Sequence, residues 1–277
     1  TWVKAKVSFA SDVLNNICVD ADIKAYKTGE RSMAVEHLKK LGTGNLYLLD
    51  RGYFGREFLA QVHQTKCQYC FRVSVNACKE VSDFVKGGQR DIIADIATED
   101  GKITVRLTKV KLNANEEEYL LTSLLDTKVF TPSKLKKLYH KRWGVEEQFK
   151  DMKHALLIEN FLGKKPNSIK QEFFGNIISY NLAMMVYKPL IDKASNKAKR
   201  KNKKHKYKAN KRAIISKFKQ SFVRLMFPGK EPLEYIIANI VISLSKEAVP
   251  IRNGRHFERK RTYKIKRNTV ISCAPAV

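Results

Sequence analysis

Four side chains between positions 139 and 153 have types and spacing suited to work on a phosphodiester: Tyr139, Arg142, Glu146 and Lys153, in the pattern Tyr-x2-Arg-x3-Glu-x6-Lys. On an α-helix each residue advances about 100°. With Tyr139 at zero on one continuous helix, Arg142 falls at about −60°, Glu146 at about −20° and Lys153 at about −40°. All four then share one narrow stripe. Val145, Phe149, Met152 and Leu156 form an adjacent apolar stripe that would anchor the helix on a core. A carboxylate so placed can hold Mg2+, and two such ions can clamp the attacking and leaving oxygens of a phosphodiester. Cations beside it can hold flanking phosphates, and Tyr139 could bond or stack at the same end of a DNA strand. The same spacing also suits a surface helix with an Arg142–Glu146 pair one turn apart, worth a few tenths of a kcal/mol. Spacing alone leaves both readings open. Gly144 is a poor residue for a helix interior and is expected to mark a helix start.

The elements that must position these groups can be followed from the beginning of the chain. Residues 5–10 and 15–25 have strand character, with a turn near Asn15-Asn16. Ser32 to Lys40 has helical spacing, and Gly42 to Asn45 stops it. Leu46-Tyr47-Leu48-Leu49 is a short apolar run that ends abruptly at Asp50, the pattern of a buried strand with a carboxylate at its C-terminal end. Arg51-Gly52-Tyr53 turns the chain into a helix over Phe54 to His63. This strand–helix alternation argues for an α/β core.

From about 66 to 126 the period changes. Tyr69–Val73, Ile92-Ile93, Lys102–Lys111 and Tyr119–Ser123 are predicted strands, with turn signals at Gly87-Gly88 and Asp100-Gly101. Beyond Thr131 the chain is predicted helical over about 132–141, 144–157, 167–190, 209–224 and 231–246. The expected division is therefore an α/β part over 1–65, a mostly β insertion over 66–130, helices bearing the quartet over 131–190, and a basic helical region with a tail over 191–277.

Lys and Arg number 54 against 27 acidic residues, a formal charge of +27. Charge of this size speaks to partners, and nucleic acid is the usual polyanion. Ten of the sixteen residues from Lys197 to Arg212 are Lys or Arg, and Arg252 to Arg267 adds eight more. DNA binding through such segments should depend steeply on salt, because counterions leave the phosphates. No apolar run reaches the length of a membrane-spanning helix. Five cysteines in no repeating frame suggest a reducing cytoplasm. Cys67 and Cys70 have metal-ligand spacing but no second pair, and their strand-rich surroundings favour a buried strand over a zinc or redox site.

Tyr139, Arg142, Glu146 and Lys153 match without a gap the Y-R-E-K signature of the insertion-sequence-four family of bacterial DDE transposases, which this chain resembles. Tyr139-His140-Lys141-Arg142-Trp143, Glu146-Glu147-Gln148-Phe149-Lys150 and Leu48-Leu49-Asp50-Arg51-Gly52-Tyr53 are also similar to that family, as is the basic stretch with Arg252, Arg255 and Arg259. The resemblance spans about positions 3 to 260. It implies an RNase H-like core interrupted by a mostly β insertion, and metal-dependent cleavage and strand transfer at transposon ends by a cut-and-paste route. It further implies Asp50 and Glu146 as catalytic ligands of Mg2+ or Mn2+. Arg142 and Lys153 would hold phosphates, Tyr139 the terminal phosphate, and Trp143 would act as an aromatic at the cleaved end or else be a core residue. The implied partners are double-stranded DNA, at transposon ends and target, and a second copy in a homodimer on paired ends. The implied setting is the cytoplasm of a bacterium, on the nucleoid. The family carries a further Asp on a strand upstream of the segment resembling Lys4 to Tyr26. Asp12, Asp20 and Asp22 are expected in turn or surface roles and not as its replacement. The chain is accordingly expected to be part of a longer protein and to cleave DNA poorly alone. A catalytically dead or domesticated DNA-binding remnant is the alternative.

Overall fold

The structure is a computed structural model that describes residues 5–112, 116–156, 158, 161–197 and 206–251. The chain divides into two compact units. One comprises the described residues up to Leu14 and from Val19 to Glu146; the other comprises Asn15–Cys18 and the described residues from Glu147 onward.

In the first unit, β1 (Ala5–Asp12) and β2 (Ile17–Ala25) form a two-stranded sheet. Helix α1 (Glu30–Leu41) is tied to it by buried His37, whose Nδ1 lies 2.6 Å from Asp20 and whose Nε2 lies 3.0 Å from Ser8. Gly42 ends α1 at a φ of 66°, a conformation costly for any residue with a Cβ. Next come β3 (Leu46–Leu49), a single 3-10 turn (Arg51–Tyr53), α2 (Arg56–Gln64), β4 (Gln68–Val73) and α3 (Lys79–Lys86). The antiparallel run β5 (Asp91–Thr98), β6 (Gly101–Lys111) and β7 (Glu117–Thr122) follows, and then α4 (Pro132–His140).

The strands expected after position 66 are all present, but they do not form a sheet of their own. A single five-stranded mixed sheet runs β3-β4-β7-β6-β5, with β3 and β4 parallel and the other neighbours antiparallel. Helix α3 lies among these strands and was not anticipated. Its eight residues are too few for periodicity to separate a helix from a loop.

Alternation along the strands sets the two faces of this sheet. Tyr69, Phe71 and Val73 of β4 join Leu121 of β7 and Phe58, Leu59 and Val62 of α2 in one core. The opposite parity, Cys70 with Leu120 and Val110, packs with Leu135 and Tyr139 of α4, and Leu46 and Leu48 of β3 lie against the same cluster. Helix α4 starts cleanly because Thr131 accepts the Lys134 N–H and Pro132 occupies the first turn. Central strands with helices on either face make a mixed α/β architecture compatible with an RNase H-like transposase fold.

Helix α5 (Trp143–Ala155) begins in the first unit and ends in the second. The second unit is mainly α6 (Pro166–Lys197), α7 (Lys211–Met226) and α8 (Leu233–Lys246), with the short pair β8 (Lys206–Lys208) and β9 (Val249–Ile251). Phe173, Ile177, Tyr180, Met184, Tyr187 and Ile191 recur every three or four residues along α6 and are buried. Ile214, Ile215 and Phe218 of α7 and Ile236, Ile240 and Leu244 of α8 are the matching buried faces. Among the described residues, no helix is long and apolar enough to cross a membrane.

Candidate active site

Asp50 follows β3 directly, and its parity with Leu46 and Leu48 turns it toward the α4 face of the sheet. It stands at the C-terminal end of the parallel pair β3/β4, the end at which open α/β sheets usually place their ligands. The Arg51 N–H donates to Asp50 Oδ1 at 2.7 Å, which fixes the carboxylate at the start of the 3-10 turn. Arg72 Nη2 lies 2.8 Å from Oδ1, and Arg142 Nη1 lies 4.0 Å from Oδ2. Burial alone would raise the Asp50 carboxyl, but the Arg51 N–H and the Arg142 and Arg72 guanidinium groups outweigh it and hold Asp50 below the ordinary carboxylate range.

Arg142 connects the two expected carboxylates. Its Nη2 donates to Glu146 Oε1 at 3.1 Å while Nη1 faces Asp50. The guanidinium lies 5.7 Å from the Tyr139 ring centroid and 5.3 Å from that of Trp143. The arginine is 8% exposed, and its Nε is buried without a hydrogen-bond partner. Asp50 and Glu146 side chains are each 38% exposed, so solvent and solutes reach both.

The four signature residues do not lie on one helix. Helix α4 ends at His140, and Lys141, Arg142, Gly144 and Val145 each donate to the carbonyl three residues back before α5 continues. The tightening turns the chain between Tyr139 and Glu146, so the single-stripe angles do not carry from Tyr139 across the break, although Arg142 and Glu146 still meet one turn apart. Gly144 falls in the first turn of α5, as expected of a helix start. Tyr139 is a core residue, 3% exposed, whose hydroxyl reaches the Leu49 carbonyl at 3.4 Å and Asp50 Oδ1 at 3.5 Å. Burial pushes its hydroxyl well above the ordinary phenol range. Trp143 is 38% exposed and not buried in a core. Lys153 stands seven residues beyond Glu146 on α5, in the second unit, with its ammonium 4.8 Å from the Phe149 ring centroid. Of the apolar stripe, Met152 and Leu156 are buried and Val145 and Phe149 partly so. Arg252, Arg255 and Arg259 lie outside the described residues.

Sequence reasoning missed Arg72 and Glu118. Arg72 bridges Asp50 and Glu118, with Nη1 donating to Glu118 Oε1 at 3.0 Å. The signal was a lone charge inside the apolar strand Tyr69-Cys70-Phe71-Arg72-Val73. Cys67 and Cys70, by contrast, sit in strand surroundings: the Cys67 thiol donates to the Gly42 carbonyl at 2.8 Å, and burial pushes the Cys70 thiol up to about 12.

The fit of a divalent ion can be judged from the donors. Asp50 and Glu146 come from sequence-distant elements and face one guanidinium, and both offer carboxylate oxygens. Hard oxygen donors of this kind suit Mg2+ or Mn2+ rather than a soft metal. Among the described residues, no group of three or more His, Cys, Asp or Glu is placed to hold a metal ion.

The family model for the transposase DDE domain matches residues 3–182. Among curated proteins, the chain is similar to the transposase InsG for insertion sequence element IS4 from Escherichia coli (strain K12), 22% identical over 193 residues, covering 65% of this chain and 43% of that protein. The chain thus spans less than half the length of the curated relative it matches.

Proposed function

This chain belongs to the transposase DDE domain family, of the insertion-sequence-four type, and we propose that it acts on double-stranded DNA at transposon ends by metal-dependent cleavage and strand transfer. The observation that supports this reading most is the convergence of Asp50, Tyr139, Arg142 and Glu146, up to 96 positions apart, on one face of one sheet. Asp50 and Glu146 would hold Mg2+ or Mn2+. Bound there, the metal would supply Lewis-acid charge to the scissile phosphate and lower the cost of forming the attacking hydroxide or 3′-oxyanion.

The protein residues do the positioning. Arg142 is fixed by Glu146 and by two aromatic rings, so its fork needs little reorganisation to meet a phosphate. Tyr139 holds the backbone carbonyl of Leu49 and so the direction in which Asp50 leaves β3. Trp143 presents an exposed ring beside Arg142, suited to stack on an unpaired base at a cleaved end. Lys153 and the basic segments, Arg252, Arg255 and Arg259 included, would add phosphate contacts. The whole enzyme would work as a homodimer on paired ends.

The reading requires a third carboxylate. The far edge of β3 pairs with no strand among the described residues, although Leu46–Leu49 is apolar and half-buried throughout. A parallel strand paired there would bring its C-terminal residue alongside Asp50, and we assign the third carboxylate to such a strand. DNA binding without efficient cleavage is the second reading, favoured by the two carboxylates that Arg142 joins at this site among the described residues.

One experiment separates these. Mn2+ binding to the purified chain is measured by calorimetry, and nicking of supercoiled plasmid is measured with Mg2+ or Mn2+, for the wild type, Asp50→Asn and Glu146→Gln. Mn2+ binding lost in both variants, with plasmid binding kept, supports the site. Nicking lost in both variants establishes cleavage by this chain, whereas binding with no nicking selects the second reading. Mn2+ binding untouched by either substitution overturns the assignment.

A further inference from the structure

Arg72 is placed by register. Leu48 pairs with Cys70 and Leu49 with Phe71, so the next position sets Asp50 opposite Arg72 on the same face. Its guanidinium then has two anionic partners, one at each terminal nitrogen. Nη2 meets Asp50 Oδ1 at 2.8 Å, while Nη1 meets Glu118 Oε1 at 3.0 Å from the neighbouring strand β7. Nε, which shares an edge with Nη2, is buried and has no hydrogen-bond partner. Nη2 therefore faces the more exposed carboxylate, Asp50 at 38%, whereas Nη1 is held by one that is 16% exposed.

A phosphate offers two oxygens at the spacing of a guanidinium edge, and a single carboxylate oxygen does not. A divalent ion at Asp50 must in turn displace the cation already there, since like charges across so short a gap repel. From this we propose that Arg72 couples metal and DNA at the site: it neutralises Asp50 when neither is bound, and it passes Nη2 to a DNA phosphate when the ion takes Asp50, with Glu118 holding Nη1 throughout. Arg72 is thus a positioning residue toward the ion and a binding residue toward DNA. The inference rests on Asp50 being a metal ligand, as proposed above. Its consequence is reciprocal: DNA tightens the ion and the ion tightens DNA by the same factor.

The test is a pair of titrations on the full chain at constant ionic strength, Mn2+ alone and Mn2+ with a saturating short DNA duplex. In the wild type, duplex should tighten Mn2+ by about tenfold, a typical size for coupled sites. Arg72→Gln should bind Mn2+ about tenfold tighter without DNA, and duplex should then add less than about twofold. Glu118→Gln should weaken Mn2+ when Arg72 is present, because Arg72 is left to Asp50 alone, and should do nothing in the Arg72→Gln background. A simple field effect of Glu118 would instead be the same in both backgrounds, and that result overturns the proposal. Should Arg72→Gln not fold, Arg72→Lys decides. It keeps the charge but lacks the fork, so the coupling to duplex should fall, and coupling at the wild-type level overturns the proposal. Mn2+ binding that is lost in Asp50→Asn but unchanged in Arg72→Gln overturns this inference alone. Mn2+ binding that does not need Asp50 overturns the proposed function with it.

Discussion

Replacing Asp50 with Asn tests whether the metal-free site is held together by its guanidinium groups or strained by its carboxylates. The substitution keeps an oxygen for the Arg51 N–H but removes the charge that faces Arg72 at 2.8 Å and Arg142 at 4.0 Å. Unit charges 2.8 Å apart attract by about 6 kcal/mol at an effective dielectric of 20. Most of that is offset. Asp50 is 38% exposed, and forming the pair costs desolvation and side-chain order. Arg72 and Arg142 also keep Glu118 and Glu146 after the change. The net loss at pH 7 is expected to be about 1 kcal/mol. The sign with pH follows from the depressed Asp50 carboxyl. Its stabilisation is full above the unfolded value of about 3.9 and fades as the pH falls through the lower folded value, so wild type and variant should converge in acid. Urea unfolding without divalent ions, read as a shift in midpoint at unchanged slope, measures the difference. A variant as stable as the wild type at pH 7, or a gap that persists undiminished at about pH 2, would mean that carboxylate repulsion governs the resting site.

Two further predictions concern the scaffold. Arg106 has no exposed surface, pairs in a fork with Asp91, and donates to the Phe130 carbonyl at 2.6 Å just before α4. Arg106→Met should cost about 3 kcal/mol or more, because it strands the Asp91 charge and the loop carbonyls, and a urea midpoint lowered by under about 1 kcal/mol would refute the account. Glu80 is held down to about 2, burial notwithstanding, by its own backbone N–H at the start of α3 and by the Arg56 fork. Its contribution should be present above about 4.5 and be lost as the pH falls toward about 2. With Arg56 39% exposed, the amount is discounted to about 1 kcal/mol. The melting temperature of Glu80→Gln should therefore be lower than that of the wild type at pH 7 and match it at the acid end of that window.

The strands and long helices were legible because their signals are local. Leu46–Leu49 is a pure apolar run, and α6 repeats its buried positions from Phe173 to Ile191, about five turns. What sequence could not give was which strands share a sheet. The segment after position 66 reads as a mostly β insertion because its period changes there. Pairing is a non-local choice, however, and β4 joins β3 in parallel on one edge and β7 on the other. The break between α4 and α5 was half visible. Gly144 signalled a helix start, but the run of bonds three residues back that turns the chain through Arg142 has no side-chain signature.

The site was legible to the extent that its residues are spaced along one segment, and Arg142 with Glu146 meet as that spacing requires. Asp50 and Arg72 lie 22 positions apart, and nothing in their spacing links them. What links them is one register step of a parallel strand pair, in which a residue after Leu49 must face the residue after Phe71. Parity then explains the chemistry of the whole face. Along β4 the residues that share Arg72's side are turned toward α4, so an arginine there cannot point to the opposite core and must find anions on its own face. Asp50 and Glu118 are the anions that the neighbouring strands provide. A charge in the middle of a strand whose neighbours are buried is therefore worth reading as half of a pair. Its partner is sought across the sheet and not along the chain.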